Sequence, residues 1–206
     1  MQALKNTRAG LANFLASGVL PLDQKLGPIL WQLPARTWFD ARALESFLEG
    51  LPRDTAEALE FPAGHDERLT GRSHLKIDAV RPIRYALEPR HESFRRDGAL
   101  AILRRHDVAL VQADSAGTWP EFREPTAGFR YVRLHGSREL YAGGYLEDEL
   151  DAWAEEVESW LAAGQDTYVY FDNDIDGRVP FDATGLASRL AHFRPAAPPP
   201  LTSPAT

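Results

Sequence analysis

The sequence predicts an α/β fold on a parallel sheet, because two similar segments flank a helical one. Residues 129–136 and 167–174 both begin as β-branched and aromatic runs and end in charged or hydrogen-bonding residues. That pattern is typical of a buried strand whose carboxyl end opens onto a site. The segment between them has the period of a long helix. Together they form a βαβ unit, and ligands collect at the carboxyl ends of such strands.

The same alternation of strand and helix continues upstream, and each element has its own apolar pattern. The predicted strands cover residues 27–33, 83–88 and 108–113, and the segments 129–136 and 167–174 contain the other two. The predicted helices cover residues 4–16, 41–48, 98–105, 147–163 and 182–191. Asp40 and Asp54 stand where helix N-caps are wanted, and Glu57, three residues after Asp54, supports a further short helix there. Five strands, each paired with a helix, favour a parallel sheet.

The clearest helix is the one predicted over residues 147–163. Its apolar residues recur at helical spacing, and acidic residues crowd its first turn, where they complement the helix dipole. Gly164 supplies the stop before the next strand. We expect Trp153 and Trp160 to pack in the core rather than to form a ligand platform.

Composition and charge limit the class of protein. The chain has 206 residues, of which 44% are hydrophobic and 26% charged, as in a soluble globular domain. A net charge of -7 argues against general affinity for nucleic acid or anionic lipid. The sequence has no Cys, which excludes disulfides, thiolate catalysis and Cys-ligated metal centres. We find no apolar run of membrane-spanning length and no signal-peptide pattern, so we expect a cytoplasmic protein without membrane contact.

Two regions give weaker predictions. Residues 61–81 have no clean period, and the Pro-Ala-Gly run at 62–64 is expected to break the preceding element. Repeated proline from residue 194 onward excludes helix and central strand. We therefore predict one domain over residues 1–193 and a disordered tail over 194–206, with a Pro-rich ligand for a partner groove as the alternative for the tail.

Several motifs together resemble one family. They are Leu11-Ala12-Asn13-Phe14, Ser17-Gly18-Val19-Leu20, the run from Lys25 to Pro34, Glu88-Pro89-Arg90-His91-Glu92-Ser93-Phe94, Tyr131-Val132-Arg133-Leu134-His135-Gly136 and the run from Tyr168 to Asp174. Their order and spacing over residues 4–193 are similar to the domain of unknown function 72 family, also called YecE-like. The resemblance implies a TIM-barrel-like fold in a bacterial or archaeal protein, without a settled activity.

One departure from that family affects the expected fold. Family members have an N-terminal Gly-Thr-Ser-Gly-Trp-like strand and two further strands before the segment that corresponds to residues 25–28. The resemblance therefore implies an incomplete barrel of about five strands, with the first three missing. A full barrel of this kind needs about 250 residues. A misplaced start, a truncated gene or a shorter open sheet would each explain the difference.

The two-residue period of a strand predicts which polar side chains share a cavity. Tyr131, Arg133 and His135 share one face. If the corresponding faces of the other strands also turn inward, the cavity holds a set of acids, bases and amides. That set is Gln32, Glu88, Arg90, Gln112 or Asp114, Arg133, His135 and Asn173.

From this set we predict three catalytic residues: Glu88, Arg133 and His135. Glu88 is the preferred general acid or base, since burial raises the pKa of a carboxyl; an ion pair with Arg133 or Arg90 is the equal alternative. Arg133 would bind an anion or stabilise developing negative charge, unless it is an ion-pair partner that links neighbouring strands. His135 would move a proton or bind a metal, unless it is a structural His before Gly136.

Further residues complete the predicted site. The predicted substrate-binding residues are Gln32, Arg90, Asp114, Tyr131, Asn173 and Asp174. Residues 172–174 could instead cap or turn the chain, hold a divalent ion or orient a sugar hydroxyl. Tyr141 and Tyr145 could form a lid or simply pack on the surface.

Several motifs are absent from the sequence: the nucleotide loops, the serine-hydrolase elbow and the His-Glu-x-x-His zinc motif. The six His residues also lack ligand spacing. We therefore predict no metal site from local motifs, with a site assembled from separate strands as the open alternative, and name no cofactor. The oligomeric state is left open.

Three hypotheses for function follow. The first is an enzyme, a hydrolase or isomerase of a polyhydroxylated or phosphorylated small molecule. The second is a nucleic-acid-processing or binding module, which requires a continuous basic groove at the strand ends. The third is a truncated, non-catalytic chain, which the absent strands favour.

Overall fold

The computed structural model describes residue 4 and residues 7–61 and 71–193. Its helices are α1 (Arg8–Phe14), α2 (Ala41–Glu49), α3 (Thr55–Glu60), α4 (Asp97–Arg105), α5 (Glu147–Ala162) and α6 (Val179–Arg189). Its strands are β1 (Ile29–Gln32), β2 (Tyr85–Glu88), β3 (Val108–Leu110), β4 (Gln112–Asp114), β5 (Phe129–Leu134) and β6 (Asp166–Phe171). The predicted break at 62–64 and the predicted tail at 194–206 lie outside the described residues.

All strand pairs are parallel and form two sheets, in the orders β1-β2-β3 and β4-β5-β6. The single strand predicted over residues 108–113 is divided at Val111, whose N–H donates to the Leu87 carbonyl at 2.9 Å. On one side of this residue the chain pairs with β2, and on the other side with β5. The prediction of five strands therefore becomes six, because one segment changes its partner.

Contacts between distant strands show that the two sheets curve around a shared interior. Arg133 on β5 donates to Gln32 on β1 at 2.8 Å, although β2 and the β3–β4 segment lie between them in the pairing order. At the opposite end, Arg84 donates to Asp166 at 2.6 Å. Within the described ranges β6 does not pair with β1, so no closed barrel is found.

Three apolar clusters follow from this curvature. Small and aromatic side chains fill the interior: Ala86, Ala109, Val111, Ala113, Phe129 and Tyr131, with Leu30 and Tyr168 against them. The opposite faces of β1, β2 and β3 pack on the earlier helices, and those of β5 and β6 pack on α5 and α6. Burial of apolar surface on both faces explains why these strands are so rich in hydrophobic residues.

The predicted helices are confirmed with shifted ends. Asp40 accepts a hydrogen bond from the Ala43 N–H, and Asp54 accepts from the N–H groups of Ala56 and Glu57, so both predicted caps are present. Trp153 and Trp160 are buried in the core, as predicted. The first helix is shorter than predicted, because the chain after Phe14 turns irregularly through Leu15–Val19 and Leu20–Lys25.

No helix in the described ranges is both long and apolar enough to cross a bilayer.

Candidate functional site

Six polar side chains meet inside the curved sheets, at or just beyond the carboxyl ends of the strands. We call them the central cluster, and they are Gln32, Glu88, Arg90, Arg133, His135 and Asp172. Five of the six come from the sequence prediction. The strand period places them together, because alternate residues of β2 and β5 point into the interior.

Glu88 lies at the base of the central cluster and is 1% exposed. Its Oε2 accepts from Arg133 Nη1 at 2.6 Å, and its Oε1 accepts from Arg90 Nε at 3.0 Å. Burial alone would raise the pKa of this carboxyl, but His135, Arg133 and Arg90 outweigh that effect and hold the pKa at about 2. The predicted rise in the pKa of Glu88 is therefore wrong, and the ion-pair alternative is the arrangement found.

His135 is completely buried, with its imidazole between two carboxylates. Its Nδ1 lies 2.9 Å from Asp172 Oδ2, and its Nε2 lies 3.4 Å from Glu88 Oε1. Neither approach has the alignment of a hydrogen bond. Both ring nitrogens thus lie close to a carboxylate oxygen without an aligned hydrogen bond.

Arg133 connects the two carboxylates. Its Nη2 donates to Asp172 Oδ2 at 2.6 Å, while its Nη1 serves both Glu88 and Gln32. Burial opposes the charged form, but the neighbouring carboxylates raise the pKa of Arg133, so its guanidinium stays charged. It is held in one orientation by partners on three strands or strand ends.

Aromatic rings surround the cluster on its loop side. The Arg90 guanidinium lies 3.4 Å from the centre of the Trp119 ring, a cation–π contact. The next residue, His91, packs against Trp38 with ring centres 4.2 Å apart and planes tilted by 38°, and Trp38 is 62% exposed. Arg90 is therefore fixed in direction by Trp119 as well as by Glu88.

Loops cover the imidazole of His135. The rings of Trp119 and Tyr141 both lie 5.5 Å from it, centre to centre. Tyr141 has a φ of 65°, and its N–H donates to the His135 carbonyl. Tyr145 is buried instead, since its hydroxyl donates to Asp114 and accepts from the Gly136 N–H. Of the two tyrosines considered either as a lid or as surface packing, only Tyr141 lies over the site.

The structure places two predicted substrate-binding residues on the other face of their strands. Asp114 meets Tyr145 at 3.0 Å, and burial raises its pKa. Asn173 is buried and donates to Asp182 and to the Gly143 carbonyl, both at 2.8 Å. Asp114 does not join the central cluster because Ala109, Val111 and Ala113 point inward from its segment, and Asn173 does not because the preceding Asp172 points inward.

Two further predicted residues take other positions. Tyr131 does face the interior, but it is buried and stacks on Tyr170 at 5.0 Å, inside the apolar cluster. Burial and the neighbouring Tyr170 raise its pKa. Asp174 begins an exposed turn, where its carbonyl accepts from the Gly177 N–H at 3.0 Å. Gln112 reaches outward to Glu121 and Glu156.

Sequence reasoning considered Asp172 as a cap or ligand but left it out of the inward-facing set, and it missed Trp119. For Asp172 a signal was present: Val169 and Phe171 are the purely apolar residues of β6 and pack against the outer helices. The face with Tyr168, Tyr170 and Asp172 must then turn inward. Trp119 lies in a loop, so strand periodicity says nothing about it.

In the described part of the chain, no group of three or more His, Asp or Glu side chains is arranged to hold a metal ion.

Fold and site define an α/β protein with a polar cluster at the carboxyl ends of parallel strands. The family described as Protein of unknown function DUF72 matches residues 1–205, and the chain belongs to this family. No curated protein matches the sequence.

Solved structures of the same family have a similar fold. A DUF72 family protein from Thermotoga maritima MSB8 has 22% sequence identity and a TM-score of 0.66, with 91% of this chain and 66% of that chain covered. A DUF72 family protein from Enterococcus faecalis V583 has 15% identity and a TM-score of 0.59, with 87% and 64% covered. The chain thus spans about two thirds of the length of these solved relatives.

Proposed function

We propose that the chain is a small-molecule enzyme, a hydrolase or isomerase of a polyhydroxylated or phosphorylated substrate, which acts at the central cluster. The observation that supports this most is the position of His135, which is fully buried between Glu88 and Asp172 at the strand ends. A fully buried imidazole without an aligned hydrogen bond is a costly arrangement, and it lies at the strand ends where ligands collect in α/β proteins.

His135 is the better proton-transfer group of the three predicted catalytic residues. Glu88 is held ionised, and both of its oxygens are taken by Arg133 and Arg90. A carboxylate with such a low pKa is a weak base. Glu88 therefore orients the two arginines, and His135 gives or takes the proton.

Arg133 and Arg90 bind the substrate in this proposal. Both are mostly buried, with side chains 13% and 11% exposed, and both point into the interior. Guanidinium groups fixed in this manner hold an oxygen acceptor in a defined place. Asn173, Asp114 and Asp174 do not take part in substrate binding.

Access to His135 requires movement of the cover formed by Trp119 and Tyr141. The Tyr141 segment is attached by backbone contacts, since its N–H donates to His135 and its carbonyl accepts from Ile175. We expect this segment to open for substrate and to close for reaction, which would exclude water from the imidazole.

The nucleic-acid hypothesis has less support. It requires free basic groups at the strand ends. Arg133 and Arg90 are each paired with a carboxylate instead. A non-catalytic chain is the other alternative, and it predicts that site variants change stability alone. With the enzyme we also propose two further properties, a cytoplasmic location and a TIM-barrel-like arrangement of the sheet.

The proposal is tested by incubation with neutral glycosides, aldoses, ketoses and their phosphate esters, with turnover followed by proton NMR. We expect turnover by the wild type and its loss in His135→Gln. The matched control is His106→Gln. His106 also contacts a carboxylate, with Nε2 2.6 Å from Glu45, but it ends α4 at the opposite end of the strands.

Thermal unfolding separates an effect on reaction from an effect on folding. Loss of turnover in a folded His135→Gln, with turnover retained in His106→Gln, supports the enzyme. Turnover that survives His135→Gln unchanged would contradict the assigned role of His135. Absence of turnover by the folded wild type, with His135→Gln changing only the unfolding temperature, would favour the non-catalytic alternative.

A further inference from the structure

Two guanidinium groups in the central cluster converge on one neutral oxygen. Gln32 Oε1 accepts from Arg133 Nη1 at 2.8 Å and from Arg90 Nη2 at 3.0 Å. Gln32 is itself an exposed residue at the end of β1, whereas the two arginines are mostly buried. The two donors are therefore fixed, and the acceptor between them is on a side chain that can rotate away.

Charge balance around this oxygen indicates what else could occupy its position. The two positive arginines are compensated by two carboxylates, since Glu88 pairs with both and Asp172 pairs with Arg133. A phosphate in the same place would bring further negative charge close to these carboxylates. A hydroxyl or carbonyl oxygen accepts the same hydrogen bonds without that repulsion.

The donors also have supports that do not depend on Gln32. Arg90 lies on the Trp119 ring and donates through Nε to Glu88. Arg133 is held by Glu88 and Asp172. Removal of the Gln32 amide would therefore leave both donors in place, aimed at an empty position.

We propose that Gln32 Oε1 occupies the binding position of a neutral ligand oxygen, which displaces Gln32 on binding. This inference rests on the proposed function. It chooses between the two substrate classes left open there: a polyhydroxylated, uncharged substrate is favoured over a phosphorylated one. Gln32 then acts as an internal substitute for the substrate hydroxyl.

The test uses two small probes of nearly equal shape that differ in charge, acetamide and acetate. In Gln32→Ala the position is open, and each probe is titrated at constant ionic strength. The chemical shift of the Arg90 Nε–H reports binding, and thermal unfolding gives a second measurement. Gln165→Ala is the matched control, because Gln165 also accepts from an arginine, Arg130, but lies at the other end of the sheet.

We expect acetamide to bind Gln32→Ala about fivefold more tightly than acetate. A difference of this size corresponds to the net contribution of about one hydrogen bond between uncharged groups. The wild type and Gln165→Ala should show neither the Arg90 shift nor the thermal shift. Tighter binding of acetate would overturn the preference for a neutral ligand. Binding of neither probe to Gln32→Ala would overturn the binding position itself.

Failure here is distinguishable from failure of the proposed function. The turnover assay on His135→Gln involves no change at Gln32, and the probe titration involves no reaction. Wild-type turnover of phosphate esters alone, with acetate preferred in Gln32→Ala, would overturn this inference and leave the enzyme proposal intact.

Discussion

Glu88 and Arg133 are paired across the interior, with Oε2 and Nη1 2.6 Å apart, although the β3–β4 segment separates their strands. Two strands with a third between them lie about 10 Å apart in a flat sheet, and the curvature brings these two side chains together. Both side chains are mostly buried. Breaking a buried pair leaves an uncompensated charge, which is strongly destabilising.

Glu88→Gln should therefore lower the free energy of unfolding by about 3 kcal/mol at neutral pH. The pH dependence has a defined sign. The folded-state pKa of Glu88 is about 2, below its ordinary value of 4.5. The stabilisation by its ionised form is thus fully present above about pH 4.5 and is lost as the pH falls toward 2. Urea unfolding at several pH values measures both effects.

The control for this variant is Glu92→Gln, which removes an exposed ion pair with Arg95. We expect a change of about 0.5 kcal/mol or less there. Equal losses of unfolding free energy in the two variants would contradict the buried pair. So would a Glu88→Gln protein that loses as much stability as the wild type when the pH falls from about 4.5 toward 2.

The turn after His135 requires glycine. Gly136 has a φ of 120°, and a Cβ there would overlap the Glu139 carbonyl oxygen and lie 3.1 Å from the Ala142 carbonyl oxygen. Gly136→Ala should cost at least about 2 kcal/mol in unfolding free energy. Gly143→Ala is the comparison, since Gly143 also has positive φ but open space around it, and should cost about 1 kcal/mol. Denaturant unfolding gives both values, and a smaller loss at Gly136 than at Gly143 would refute the close approach.

Asn173 is predicted to stabilise the fold without contact to substrate. Its amide donates to the buried Asp182 carboxylate, so Asn173→Ala should cost about 2 kcal/mol by leaving that carboxylate short of a donor. In the folded variant, the Arg90 Nε–H signal should keep its wild-type position, because Asn173 lies on the other face of the strand. A shifted Arg90 signal with unchanged stability would contradict this prediction and would indicate that Asn173 influences the central cluster.

The sequence predicts the inward face well where a strand has one polar face and one apolar face. On β5, Arg133 and His135 alternate with Val132 and Leu134, and the apolar pair packs outward as expected. The same holds for Glu88 on β2. Five members of the central cluster follow from this alternation.

The alternation fails where both faces of a strand are buried. Around Val111 the inward residues are alanine and valine, while Gln112 and Asp114 reach outward to helix and loop partners. Sequence period alone gives no means to choose the inward face there. The direction of the pKa shift of Glu88 could not be predicted from burial either, because it depends on which charges lie nearby in space.

A double-mutant cycle on Glu88→Gln and Arg133→Met tests the central cluster most directly. Unfolding free energies of the wild type, both single variants and the double variant give the interaction energy between the two residues. The paired arrangement predicts a coupling of about 2 kcal/mol, within the range found for contacting residues. Losses that add to within about 0.5 kcal/mol would show that Glu88 and Arg133 do not meet, and would contradict the site built on them.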